Sequence, residues 1–152
     1  MERMDGFFMW GIVIGMISGA LMSVQGVFNA EVTKQSSIWL AAAFVQISAF
    51  VVCVAAWLVT GRDGTVASLW QVHPKYMLLG GAIGAFITYT VIQAMNQCGP
   101  ARAVVFIVTA QLIVAYVIEL MGVFGVEKQP FEWRKAIGLA VIIAGIFTFK
   151  WK

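Results

Sequence analysis

Charge is scarce in this sequence. Of 152 residues only 11% are Asp, Glu, Lys or Arg, while 61% are hydrophobic. That balance excludes a soluble globular domain of ordinary composition. A helical bundle this small could not hide so much apolar surface in its own core. Histidine occurs once, at His73, beside Pro74 in a loop. With so little histidine there is no HExxH, no Ser/His/Asp set and no His/Cys group at metal-ligand spacing. Paired carboxylates within the apolar stretches are missing too. An enzyme, a resident metal and a cofactor are therefore not expected. Cysteine is nearly absent, and Cys53 and Cys98 read as small apolar packing residues. The net charge of +3 comes from the ends of apolar stretches and gives no sign of a nucleic-acid partner.

What the sequence has instead is long apolar runs, five of them: 7–29, 37–60, 76–97, 101–124 and 133–150. A helix needs about 20 mostly apolar residues to cross a hydrocarbon core roughly 30 Å thick. The expected fold is all-α: one polytopic membrane domain over residues 1–152 with five transmembrane helices and short links. An odd number of crossings places the termini on opposite sides of the membrane. The first run reads as a retained helix, because Ser18 to Asn29 is too rich in polar residues and glycine for a clean cleavage site. Trp10, Trp39, Trp57, Trp133 and Trp151 fall near the ends of runs, where an indole has one wet edge and a greasy body.

Basic residues carry the orientation signal. One side holds Arg3, Arg62, Lys75, Lys128, Arg134 and Lys135; the other holds Lys34, Arg102, Lys150 and Lys152. Six against four is a weak bias. It fits either an N-terminus in the cytoplasm or a chain that inserts both ways round. No internal repeat is visible, yet many transporters consist of two inverted repeats with the substrate between them. A lone five-helix unit could serve as one repeat, completed by an oppositely inserted copy.

Polar groups inside the runs are the candidate site. Gly11, Gly15 and Gly19, followed by Ser23, give the first helix a small face on which another helix could pack. On or beside it fall Ser18, Met22, Gln25 and Asn29. Amides cannot be left bare in hydrocarbon, so this face looks into the bundle or a wet cavity. Interhelical glue and substrate lining are both open. The third run repeats the theme with Gly80, Gly81 and Gly84 for packing, then Thr88, Tyr89, Gln93, Asn96 and Gln97. Gln46 adds an amide to the second run, and Gln111 one to the fourth. Glu119 is the one acidic residue inside a run. It is either a structural ion-pair partner near a helix end or a proton- or cation-coupling group. The last run has Gly138 and Gly145 but no strongly polar interior residue, which suits a scaffold or dimer helix.

Several segments resemble the drug/metabolite transporter superfamily, and within it the five-helix YdcZ-like family of bacterial membrane proteins. Gln25-Gly26-Val27-Phe28-Asn29-Ala30 is similar to that family's Gln-x-x-x-Asn-Ala signature, and Leu79 to Ala85 to its third-helix glycine motif. Ala110-Gln111-Leu112 resembles its Gly-Gln-Leu, with alanine for glycine. Glu119 stands where the family commonly has aspartate, just before Gly122-Val123-Phe124-Gly125. Ile137-Gly138-Leu139 through Ala144-Gly145 is similar to the last helix of many superfamily members. Arg102 departs from the mostly apolar pattern.

The resemblance implies a bacterial inner-membrane location and transport by alternating access. It also implies antiparallel pairing, as a homodimer or as a heterodimer with a related five-helix chain. Four-helix multidrug relatives use a first-helix glutamate for cation and proton exchange, where this chain has Gln25 and Asn29.

The reading that follows is a dimeric transporter of a small polar metabolite, with lipid bilayer and a small-molecule substrate as its other partners. Ser18, Met22, Gln25, Asn29, Thr88, Gln93 and Gln111 are the candidate substrate residues, and Glu119 the candidate coupling residue. An organic-cation exporter driven by Glu119 and a non-transporting scaffold subunit are the competing readings.

Overall fold

The computed structural model describes residues 2–61 and 64–150. Arg62, Trp151 and Lys152 lie outside the described residues, as do the side chains of Arg3 and Lys150. The described chain is helical, with no strand among the described residues. Six α-helices follow in order: α1 (Glu2–Val32), α2 (Ile38–Val59), α3 (Val66–Leu69), α4 (Gly80–Cys98), α5 (Pro100–Met121) and α6 (Trp133–Lys150). A 3-10 turn over Lys75–Leu79 leads into α4.

Among the described residues, four stretches are long and apolar enough to cross a membrane: Phe8–Val32, Ile38–Val59, Lys75–Cys98 and Pro100–Met121. Helix α6 is not in that set, and it carries Arg134, Lys135 and Lys150 within its 18 residues. The apolar side chains point outward, as bilayer helices require: Phe44, Phe50 and Phe86 are 70%, 68% and 64% exposed. The buried set among the described residues is small, consisting of Gly26, Ala30, Ala41, Ala42, Ile92, Met95, Ala103 and one polar residue, Asn29.

The helix ends differ from the hydropathy runs for local reasons. Helix α1 continues to Val32, three residues beyond the first run, and the Thr33 hydroxyl then bonds the Ala30 carbonyl at 2.7 Å. Ser37 starts α2, its side chain accepting from the Leu40 N–H at 3.2 Å, which satisfies one orphan donor of the first turn. The loop before the third run holds the short α3, and that run opens as a tight 3-10 turn before α4 begins at Gly80. Gly99, at φ 80°, and Pro100 at the first helical position end α4 and begin α5. The fourth run was expected to stay helical to residue 124. It stops at Met121, because Gly122 takes a left-handed cap at φ 64° and donates to the Ile118 carbonyl at 2.9 Å.

The chain forms two compact units, Met1–Asn96 and Gln97–Lys152. In the first, α1 and α2 pack side by side, and α4 reaches both through its side chains. Gly26 on α1 sits so close to α4 that a Cβ there would collide with the Met95 side chain. On α2, Trp39 stacks on Tyr89 of α4 with ring centroids 4.5 Å apart and meets Phe86 edge-on at 6.5 Å. The second unit is a hairpin of α5 and α6. Its turn is tied down by Gln129 N–H donating to the Glu119 carbonyl at 2.8 Å. The Tyr116 hydroxyl accepts from Glu132 N–H at 3.3 Å and donates to the Glu132 carbonyl at 3.4 Å.

Candidate functional site, a groove between the first two helices

A groove of about 840 Å³ runs between α1 and α2. That volume is within the range of small-molecule sites. From α1 it takes Ser18, Met22, Gln25 and Asn29, together with apolar neighbours such as Ile14, Leu21 and Phe28. Ser18, Met22, Gln25 and Asn29 are spaced by four, three and four residues, so a 3.6-residue period keeps them on one face. The facing wall comes from Ala41, Phe44, Val45, Ser48, Ala49 and Val52 of α2. Most of the lining is apolar. The four polar side chains Ser18, Gln25, Asn29 and Ser48 are distributed along it, with the two amides one turn apart near the α1 C-terminal end.

Asn29 and Gln25 differ in setting. Asn29 is 9% exposed and is the polar side chain that the fold buries among the described residues. Gln25 is exposed on the same face. Gly26 lies between them and is buried, because it is where α1 meets Met95 and Val91 of α4. The close approach of α4 at Gly26 therefore holds α1 while its neighbouring face remains open to the groove.

The other predicted site residues lie elsewhere. Thr88 is half-buried on α4, and its hydroxyl donates to the Gly84 carbonyl at 2.9 Å. This back-bond satisfies the donor within its own helix. Gln93 donates to the Tyr89 hydroxyl at 3.2 Å, beneath the Trp39–Tyr89 stack. Neither lines the groove. Asn96 donates to Thr33 Oγ1 at 3.0 Å and joins the ends of α4 and α1. Gln111 is exposed on α5 in the second unit.

The packing glycines divide in the same way. Around Gly11, Gly15, Gly19, Gly80 and Gly81 an added Cβ would meet nothing within 4 Å, whereas at Gly84 it would lie 3.4 Å from Gln46 Nε2. Sequence reasoning did not single out Gly26, Phe28, Phe44 or Ser48. Only Ser48, a hydroxyl two residues after Gln46 in a mostly apolar helix, carried a signal that could have been used.

Glu119 is two residues from the end of α5 and half-exposed. Its Oε2 accepts from the Lys135 ammonium at 3.2 Å, and Lys135 also stands 3.7 Å from Glu132. The carboxylate has a cationic partner on the next helix.

Apolar helices long enough to cross a bilayer, with an amide-bearing groove between two of them, mark a helical membrane protein. The chain belongs to the family described as "Putative inner membrane exporter, YdcZ", whose model matches residues 10–148. It is thus an inner-membrane protein, and its family points to transport rather than catalysis. No curated protein and no solved structure matches it.

Proposed function

We propose that this protein exports a small, largely neutral metabolite by alternating access, and that the α1–α2 groove is half of its substrate cavity. The observation that carries the reading is the gathering of Ser18, Met22, Gln25 and Asn29 on one wall of a single groove. The apolar lining favours a solute with an apolar body and a few hydroxyl or amine groups for the carboxamides to meet. Among the described residues no acidic side chain lines the groove to neutralise an organic cation. Direction follows the family description, which speaks of an exporter.

Helix α6 is the fifth crossing in this reading, its Arg134 and Lys135 lying in the headgroup layer where long basic side chains snorkel. Two copies, or this chain and a related one, pair antiparallel and close the groove. The open stripe at Gly11, Gly15 and Gly19 supports close approach of another helix.

The test is a thermal-shift screen of the purified protein against a metabolite library. Compounds that stabilise the wild type should lose that effect in Asn29→Leu and Gln25→Leu, while both variants remain dimeric on a sizing column. Ligands that stabilise both variants as well as the wild type would place the substrate elsewhere. Variants that merely fall apart into monomers, with binding intact in whatever dimer survives, would make the amides interhelical glue.

A further inference from the structure

A second groove, of about 340 Å³, lies between α5 and α6 and takes no part in the transport reading. Its walls are Leu112, Ala115, Gly138, Leu139 and Ile142, and at one end stand Tyr116, Glu119 and Lys135. An apolar trough on a membrane-facing helix pair does not stay empty, because an unfilled void forfeits dispersion contacts along its whole lining. The end of this trough is at headgroup depth. Glu119 is two residues from the α5 terminus, and Phe131 and Trp133, 54% and 74% exposed, meet there with ring centroids 5.2 Å apart. Exposed aromatics at a helix end mark the interface.

The charges at the mouth define the occupant. The 3.2 Å contact between Glu119 Oε2 and Lys135 leaves Glu119 Oε1 able to accept, and Lys135, which also stands 3.7 Å from Glu132 Oε1, keeps an ammonium N–H to donate. Lys135 also sits in the first turn of α6, where the helix dipole favours an anion. Across the turn the formal charges cancel: Glu119, Glu127 and Glu132 against Lys128, Arg134 and Lys135. A neutral mouth with one acceptor and one donor group complements a headgroup carrying both a phosphate and a primary amine. We propose that the α5–α6 groove is a binding site for a zwitterionic aminophospholipid. One acyl chain lies along Leu112, Ala115, Leu139 and Ile142, the phosphate is on Lys135, and the amine is on Glu119. The inference rests on the reading of α6 as a crossing.

The experiment is native mass spectrometry of delipidated protein titrated with an equimolar mixture of phosphatidylethanolamine, phosphatidylglycerol and phosphatidylcholine. Wild type should retain phosphatidylethanolamine about tenfold over phosphatidylcholine, whose quaternary amine has no N–H to donate in a charge-assisted hydrogen bond. Glu119→Gln should bring the two zwitterionic lipids level. Filling the trough with Gly138→Leu, or more fully with Gly138→Phe, should remove retention of all three; an added Cβ at Gly138 meets nothing within 4 Å, and far-UV circular dichroism checks the fold. Equal retention of the three lipids by wild type, or a preference for phosphatidylglycerol, overturns the proposal. So does unselective lipid binding combined with loss of the dimer in Gly138→Leu, which would make a second copy the occupant. Cysteines placed at the two ends of α6 separate the failures. Ends that label from opposite sides, with no lipid selectivity, sink the lipid site alone; ends that label from one side sink the fifth crossing and the site with it.

Discussion

Glu119 shows how much a single side chain in an apolar run can mislead. As the one carboxylate in such a run it invites a coupling role. The structure gives it a partner, Lys135 at 3.2 Å, on a half-exposed helix end. Exposed ion pairs contribute roughly 0–1 kcal/mol, so this one reads as a tether. Glu119→Gln should keep substrate binding within about tenfold, equivalent to roughly 1.4 kcal/mol, and should leave the pH dependence of binding as it is. Isothermal titration across a pH series would show this; erasure of the pH dependence by the substitution would move the cation-exporter reading ahead. Asn29 is the opposite case. Its amide was legible from sequence because hydrocarbon cannot satisfy it, and the fold buries it beside the groove. Gly26 was not legible as a packing site. Its role depends on where Met95 arrives from α4, a fact of tertiary structure that no spacing within α1 encodes.

At the level of elements, helix existence was plain in the hydropathy and helix ends were not. The run 101–124 contains no break in hydropathy at residue 121, yet α5 ends there. The stop is set by Gly122 at φ 64°, where an added Cβ would come within 2.7 Å of Lys128 Cβ. Both the left-handed backbone and the close return of the chain require glycine. Gly122→Ala should therefore destabilise the α5–α6 hairpin by about 1–3 kcal/mol, combining left-handed strain with overpacking. Thermal unfolding in detergent measures it, with Gly125→Ala as a comparison, since Gly125 also has positive φ, at 83°. A Gly122→Ala protein as stable as wild type would show that the turn can take another course. Helix α6 marks the limit of hydropathy from the other side. Its apolar body reads as a crossing, but it carries three charges in 18 residues, and composition alone does not decide between spanning and lying in the interface.

At the scale of the whole molecule, the proposal is that this chain is one half of a transporter. The described chain exposes most of its large apolar side chains and buries few residues. Its candidate site is a groove between neighbouring helices, and an added Cβ at Gly11, Gly15 or Gly19 on α1 would meet nothing within 4 Å among the described residues. The sequence carries no internal repeat, and its basic residues divide six to four between the two sides. Each of these follows if the chain is one half of an inverted pair, with the second half supplied by another copy or a relative. Orientation in intact cells tests this most directly. Cys53 and Cys98, both exposed and free, would first be replaced by alanine, and single cysteines then placed beside each terminus and challenged with a membrane-impermeant maleimide. The account predicts that each terminus labels partly from outside and partly only after lysis, or that every copy faces one way while a related chain purified with it faces the other. A single orientation for every copy, with no inverted partner chain in the purified complex, would contradict it.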